Sequence, residues 1–310
     1  MTGHAAVSAP RSPERIDDAL DLIAGSGWLP IAGGTDVFPA HVGRSIDRSL
    51  LDLSRVAAMR GLERSVERDG REWLRVGALE TWSALRDARL PSGLQALPQA
   101  AAEVGGRQIQ NQGTIGGNLC NASPAADGVP VLLALDAEVE LRSRRGMRRL
   151  PLEQFVLGNR RTALAADELL VAIHLPLGSD RARSQFLKLG HRRYLVISIA
   201  MVAVALDRSP DGRIDRCAIA VGACSAVAKR LPALEARLLG RTPTEAERLT
   251  ASLLGSVESD ALLAPLSPID DVRGTASYRL DAVRELIVRA VGMAATGSDA
   301  PSSMAAGSAR

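Results

Sequence analysis

Apolar residues recur at helical spacing near the start of the chain. Ile16, Ala19, Leu20 and Ile23 make one face, with Ser12 as N-cap, Pro13 at the first helical position and Gly25 past the end, which predicts a helix over 12–25. A short apolar run, Trp28 to Ala32, reads as a strand running into Gly33-Gly34-Thr35-Asp36, and 48–53 reads as a second strand. A short helix at 56–62 and a strand at 72–79 flank a polar turn at Arg68-Asp69-Gly70. Helices follow over 81–88 and 95–104. Strict alternation predicts a strand at 137–142, and the run 168–176 reads as a strand closed by Pro176. Residues 178–184 are polar and charged and mark a boundary. Beyond them 185–189, 196–206 and 213–224 read as strands, with Asp211-Gly212 as a hairpin turn, and helices follow near 229–239, 244–256 and 278–291. Short strands and helices in mixed order predict an α+β fold, with a smaller sheet-and-helix domain at the C-terminal end. The last stretch, from Ala294, is small, polar and aperiodic, and disorder is expected there.

One stretch fits neither period. From Gly105 to Gly128 the chain is rich in glycine, amide and hydroxyl residues and nearly free of charge, which predicts a loop whose bare backbone approaches something closely. Ala32-Gly33-Gly34-Thr35-Asp36 repeats that chemistry upstream, at a strand end where an anion can be seated. Two such loops can grip a diphosphate from both sides without a cluster of cations. A tight turn between buried elements is the plainer reading of either loop alone.

Composition narrows the partners. The chain has 310 residues, 46% of them apolar, and no apolar run long enough to span a bilayer; no basic-then-apolar leader opens it, so a cytoplasmic protein without membrane insertion is expected. Net charge is only +3 and aromatics are 3%, which argues against nucleic acid as a partner. Cys120, Cys217 and Cys224 cannot ligate an iron–sulfur cluster by themselves, and His4, His41, His174 and His191 form no metal spacing. The basic residues are almost all arginine. The two lysines, Lys188 and Lys229, stand out against that bias. No Rossmann, P-loop or nucleophile-elbow motif occurs.

The two glycine loops together carry a resemblance. Ala32-Gly33-Gly34-Thr35-Asp36, the run Gln108 to Asn118 ending Gly113-Thr114-Ile115-Gly116-Gly117-Asn118, and Ala122-Ser123-Pro124-Ala125-Ala126-Asp127 resemble the FAD-binding (medium) subunit of the molybdenum hydroxylases, the xanthine dehydrogenase and carbon monoxide dehydrogenase family. Phe186-Leu187-Lys188, Ala220 to Cys224 and Pro268 to Arg279 extend the likeness to about residue 290. The resemblance implies a vanillyl-alcohol oxidase-type (PCMH-type) FAD-binding domain of two α+β subdomains, 1–56 and 57–178. It also implies a CO dehydrogenase flavoprotein-type C-terminal α+β domain over 182–291; beyond it, composition alone predicts a disordered tail over 292–310. The implied site is Ala32, Gly33, Gly34, Thr35, Asp36 and Val37 around the diphosphate; Thr114, Ile115, Gly116, Gly117 and Asn118 as the second loop; and Asp127, Leu170 and Lys188 beside the cofactor. Taken alone, Asp127 can also be read as a helix N-cap and Lys188 as a solvated strand-end charge. Val104 stands where some relatives carry an aromatic residue. Cys120, where many carry a small aliphatic one, reads as a buried packing residue.

The same resemblance implies noncovalent FAD in this chain, with molybdopterin in a large partner subunit and [2Fe–2S] clusters in a small one, assembled as a heterotrimer or a dimer of heterotrimers. Electrons from the clusters would pass through FAD to NAD⁺, O₂ or another acceptor while the large subunit hydroxylates a substrate such as a purine or other N-heterocycle. No residue here needs to act as acid or base on that substrate. Two other readings stay open at this point: an interaction subunit that has lost its flavin, and a stand-alone flavin oxidase.

Overall fold

In the computed structural model, which describes residues 8–25, 27–192 and 196–296 and the backbone of 303–305, the first helix, α1, runs Ile16–Ala24 and buries Ala19, Leu20 and Ile23. It starts later than Ser12 predicts. Arg11 is drawn into sheet pairing instead, its N–H donating to Leu50 O at 3.0 Å and its carbonyl accepting from Asp52 N at 2.8 Å, so the chain stays extended until Arg15. Strand β1 (Trp28–Ile31) pairs in parallel with β2 (Ser49–Asp52), and the turn between them carries one short helix, α2 (Val37–Ala40).

The next unit is a five-stranded antiparallel sheet with helices inserted between its strands. In chain order come a 3₁₀ turn at Ala57–Met59, β3 (Leu62–Val66), β4 (Glu72–Gly77), and helices α3 (Trp82–Asp87), α4 (Ala96–Glu103), α5 (Arg107–Gln112), α6 (Ile115–Asn121) and α7 (Gly128–Ala134). Then follow β5 (Glu138–Ser143), β6 (Gly146–Pro151), α8 (Leu152–Phe155), the short pair β7 (Val156–Gly158) and β8 (Arg161–Thr162), and β9 (Leu169–Pro176). The sheet order is β3-β4-β9-β5-β6. The expected helix at 56–62 shrinks to the 3₁₀ turn, and the glycine-rich stretch expected as a loop holds α5 and α6 with a tight turn between them. Strands β3 and β6 bury almost nothing, so they leave no apolar alternation to read.

Strand β9 buries His174 against β5. Arg149 Nη2 donates to Nδ1 of the ring at 2.8 Å, which puts the ring proton on Nε2, 2.8 Å from Glu140 Oε2. Arg142 Nε donates to the other Glu140 oxygen at 2.6 Å. The bond from His174 first, and then Arg142, pull the Glu140 carboxyl from its ordinary 4.5 to about 2 against the cost of burial. A depressed folded pKa contributes stability that is present above the unfolded value and lost as pH falls through the folded one. Glu140→Gln therefore costs on the order of 3 kcal/mol at neutral pH and removes the loss of stability between about pH 4.5 and pH 2. Urea unfolding across that range checks it.

The C-terminal unit is a second sheet, β10 (Arg183–Gly190), β11 (Ala200–Arg208), β12 (Ile214–Gly222) and β13 (Lys229–Arg230), backed by α9 (Pro232–Leu238), α10 (Pro243–Leu254), α11 (Ser259–Leu262) and α12 (Ala276–Thr296). Period-2 alternation gives each face its own partner. Phe186, Met201, Ala203, Ala205, Ala218 and Ala220 join the core of the preceding unit, whereas Leu187, Val202, Val204, Ile219 and Val221 pack on α9 to α12. The small residues let α4 and α7 lie close on the sheet, and Ser184 Oγ on that face accepts the N–H of Ala96 at 2.9 Å. Lys188 lies on the same face.

The strand expected from residue 196 begins at Ala200, and Val196 to Ile199 form a connecting segment. The expected tail from residue 292 is helical through Thr296, and a three-residue strand, β14 (Ser303–Ala305), pairs in parallel with Lys188–Gly190. Residues 297–302 and 306–310 lie outside the described residues.

Candidate cofactor-binding cleft

A cleft of about 750 Å³ opens where the three units meet. Its first wall is the turn between β1 and α2. Gly33 lies hard against the other wall: a Cβ there would sit 1.7 Å from the carbonyl oxygen of Gln112. Gly34 adopts φ +68°, with the Phe38 ring where a side chain would go. Among the described residues, no N–H from Gly33 to Val37 donates to a protein acceptor; the first to do so is Phe38, to Gly34 O at 3.1 Å. A row of free N–H groups on a concave turn is a receptor for an anion.

The second wall is the start of α6. Thr114 caps it, its Oγ1 accepting the N–H of Gly117 at 3.0 Å. Ile115 and Gly116 donate to Glu80 O and Ala78 O at 3.0 and 2.9 Å and stand behind the wall, where Gly116 packs on Ala78. The surface left to the cleft is Thr114, the bare Cα of Gly117 and the side chain of Asn118, whose buried Oδ1 has no partner. Apolar side chains complete the lining, Leu29 and Pro30 on β1, Val104 and Ile109 around α5, and Val196 and Ile197 from the C-terminal unit.

Asp127 is buried in the floor at 7% exposure. Its Oδ2 accepts from Lys188 Nζ at 2.7 Å and its Oδ1 from Ser198 Oγ at 2.6 Å; Lys188 Nζ also donates to Glu103 O at 3.1 Å. Burial pushes the Asp127 carboxyl up, and Lys188 and then Ser198 pull it back. At the rim a chain of side chains ties the walls together: Arg160 donates to Asn121, and Asn121 Nδ2 donates to Asp36 Oδ1 at 2.9 Å. Among the described residues lining the cleft, Arg160 is the one basic residue. It is held there in a left-handed conformation, φ +53°, with its N–H on the carbonyl of Ala122, itself at φ +45°.

The residues expected at the site divide on this geometry. Ala32, Gly33, Gly34, Thr35, Asp36, Val37, Thr114, Gly117, Asn118 and Asp127 line the cleft. Ile115 and Gly116 stand behind it, Leu170 lies in the core opposite Leu141 on β5, and Lys188 sits beneath Asp127 as its counter-ion. Neither strand-end solvation nor an N-cap role describes the last pair: Lys188 is 3% exposed and Asp127 accepts no N–H from α7. Cys120 is exposed along the cleft rather than packed away. Sequence reasoning missed Arg160 and Ser198. Each is a single polar residue far along the chain from the glycine loops, and no local pattern marks either.

A protein-family model described as the FAD binding domain in molybdopterin dehydrogenase matches residues 9–178, and one described as the CO dehydrogenase flavoprotein C-terminal domain matches residues 185–294. The chain belongs to this family. It is 33% identical over 285 residues to the nicotine 6-hydroxylase medium subunit of Paenarthrobacter nicotinovorans, covering 90% of this chain and 94% of that one. It is 30% identical over 278 residues to the xanthine dehydrogenase FAD-binding subunit of Escherichia coli O157:H7, covering 88% and 91%. A chain in the solved carbon monoxide dehydrogenase of Hydrogenophaga pseudoflava superposes with a TM-score of 0.82 at 27% identity, covering 94% of this chain and 98% of that one. The chain is thus a flavoprotein subunit of an oxidoreductase of the molybdopterin dehydrogenase type, and its cofactor is FAD. Among the described residues no helix is long and apolar enough to cross a membrane.

The cleft fits that cofactor. The unpaired N–H groups from Gly33 to Val37 suit a diphosphate, the orphaned Asn118 Oδ1 and the fixed Asp127 carboxylate suit hydroxyl or N–H donors, and the apolar lining suits flat ring systems.

Proposed function

We propose that this chain is the FAD-carrying electron-transfer subunit of a molybdenum hydroxylase. It takes electrons from the [2Fe–2S] clusters of a small partner subunit and passes them to NAD⁺, O₂ or another acceptor, while a molybdopterin-binding large subunit hydroxylates the substrate. The observation that carries the reading is the row of unbonded N–H groups from Gly33 to Val37 in a cleft that the bare Gly117 also lines. Bound FAD supplies the redox chemistry, and the chain supplies binding and orientation. Gly33 to Val37 hold the diphosphate, Thr114, Gly117 and Asn118 close on it from the other side, and Asp127 accepts from a polar donor of the cofactor. Ile115 and Gly116 act indirectly, by seating α6 against Ala78 and Glu80. Lys188 acts through Asp127. Binding is read as noncovalent, since no histidine is among the described residues lining the cleft. The assembly is cytoplasmic.

The purified chain is expected to show the absorbance of oxidised flavin and to release about one FAD per chain on denaturation. A colourless chain that also takes up no added FAD would replace this reading with that of an interaction subunit. Flavin that stays with the denatured polypeptide would point to a covalent flavin oxidase.

A further inference from the structure

The floor of the cleft is built by two domains. Asp127 comes from the start of α7, yet both of its carboxylate oxygens are held by residues from beyond the boundary at 178–184: Lys188 on β10 and Ser198 in the segment that joins β10 to β11. Lys188 balances the charge. Ser198 adds direction, because its hydroxyl, 1% exposed and 2.6 Å from Oδ1, fixes the rotation of the carboxylate about its own bond. Ser198 is itself held. The next residue, Ile199, donates its N–H to Leu189 O at 2.8 Å and accepts at its carbonyl from Arg279 Nη1 at 2.6 Å. Arg279 on α12 is 3% exposed; it also reaches Ala223 O at 3.0 Å and Asp271 Oδ1 at 2.6 Å. The run Pro268 to Arg279 is thereby tied to the cleft floor through two links, Arg279 to Ile199 and Ser198 to Asp127.

We propose that Ser198, fixed by Arg279, is a positioning residue for FAD: it aims the Asp127 carboxylate at the cofactor, so that the C-terminal domain completes a site whose phosphate-binding walls belong to the FAD-binding domain. This rests on the reading of the cleft as the FAD site. A hydroxyl bonded to a carboxylate is a strong neutral donor, and losing it leaves one oxygen free to turn away from the ligand.

The test uses the full chain, stripped of flavin and titrated with FAD, with the midpoint potential of the bound flavin measured alongside. Ser198→Ala is expected to raise the Kd for FAD about tenfold and to move the potential. Ser198→Thr, which keeps the hydroxyl, restores both. A Ser198→Ala chain with the wild-type Kd and potential overturns the positioning role while leaving the FAD site standing, and so does one that is only less stable to urea, equally with and without FAD. A wild-type chain that takes up no FAD overturns the site and the positioning role together.

Discussion

Gly33→Ala is expected to abolish FAD retention. The added methyl carbon would lie 1.7 Å from the carbonyl oxygen of Gln112, 2.4 Å from its carbon and 3.0 Å from the nitrogen of Gly113. All three are backbone atoms, so no side chain can rotate out of the way, and the two walls of the cleft must separate. Overpacking of a tight contact costs about 1–3 kcal/mol when neighbours can yield, and here they cannot, so FAD affinity falls by about a hundredfold or more. Gly117→Ala is the informative contrast. A Cβ there meets only Thr114 Oγ1, at 3.0 Å, and otherwise projects into the cleft, so it displaces the ligand and leaves the apo fold nearly intact. The measurement is the flavin-to-protein ratio after gel filtration, paired with the melting temperature of each apo chain. Both variants lose flavin, but only Gly33→Ala also loses apo stability. A Gly33→Ala chain that emerges with stoichiometric FAD would disprove the contact between the walls.

That contrast marks how far the sequence reached. The glycine loops announced a site because bare backbone has a compositional signature, and the unbroken apolar run along 200–206 announced a buried strand because each face has its own core. What one sequence does not carry is pairing. Gly33 and Gln112 are distant in the chain, and nothing in either loop says that one glycine exists to admit the other's carbonyl. Within the second loop, Gly116 and Gly117 are indistinguishable as letters, yet Gly116 is spent on packing against Ala78 and only Gly117 faces the cleft. Leu170 was reached through family resemblance, and it packs in the core of the antiparallel sheet. Strands β3 and β6 escaped because they sit at the sheet's edges and their exposed side chains follow no period. Arg160 and Ser198 escaped because a lone polar residue acquires a meaning only from its partners in space.

Lys188→Met is the other large effect, and it separates two roles for this lysine. Were Lys188 a point charge aimed at the flavin, its loss would weaken the cofactor and spare the apo chain. The geometry has Nζ committed to Asp127 and to Glu103 O, with 3% of the residue exposed, so the first casualty is Asp127. Removing one partner of a buried ion pair leaves an uncompensated charge and costs about 3–5 kcal/mol. The pH dependence has a definite sign. Burial already pushes the Asp127 carboxyl up, and without Lys188 that push loses its main opponent. An acid whose folded pKa is raised contributes stability that is present below its unfolded value and lost as pH rises through the folded one. The deficit of Lys188→Met against wild type is therefore widest at neutral and alkaline pH and narrows as the pH falls and Asp127 takes up its proton. Adding Asp127→Asn removes the stranded charge, so the double variant is more stable than Lys188→Met alone at neutral pH. Urea unfolding of the apo chains across pH reads all of this. A deficit that stays the same at every pH, or a double variant no more stable than the single one, would mean that Lys188 is not the counter-ion of Asp127.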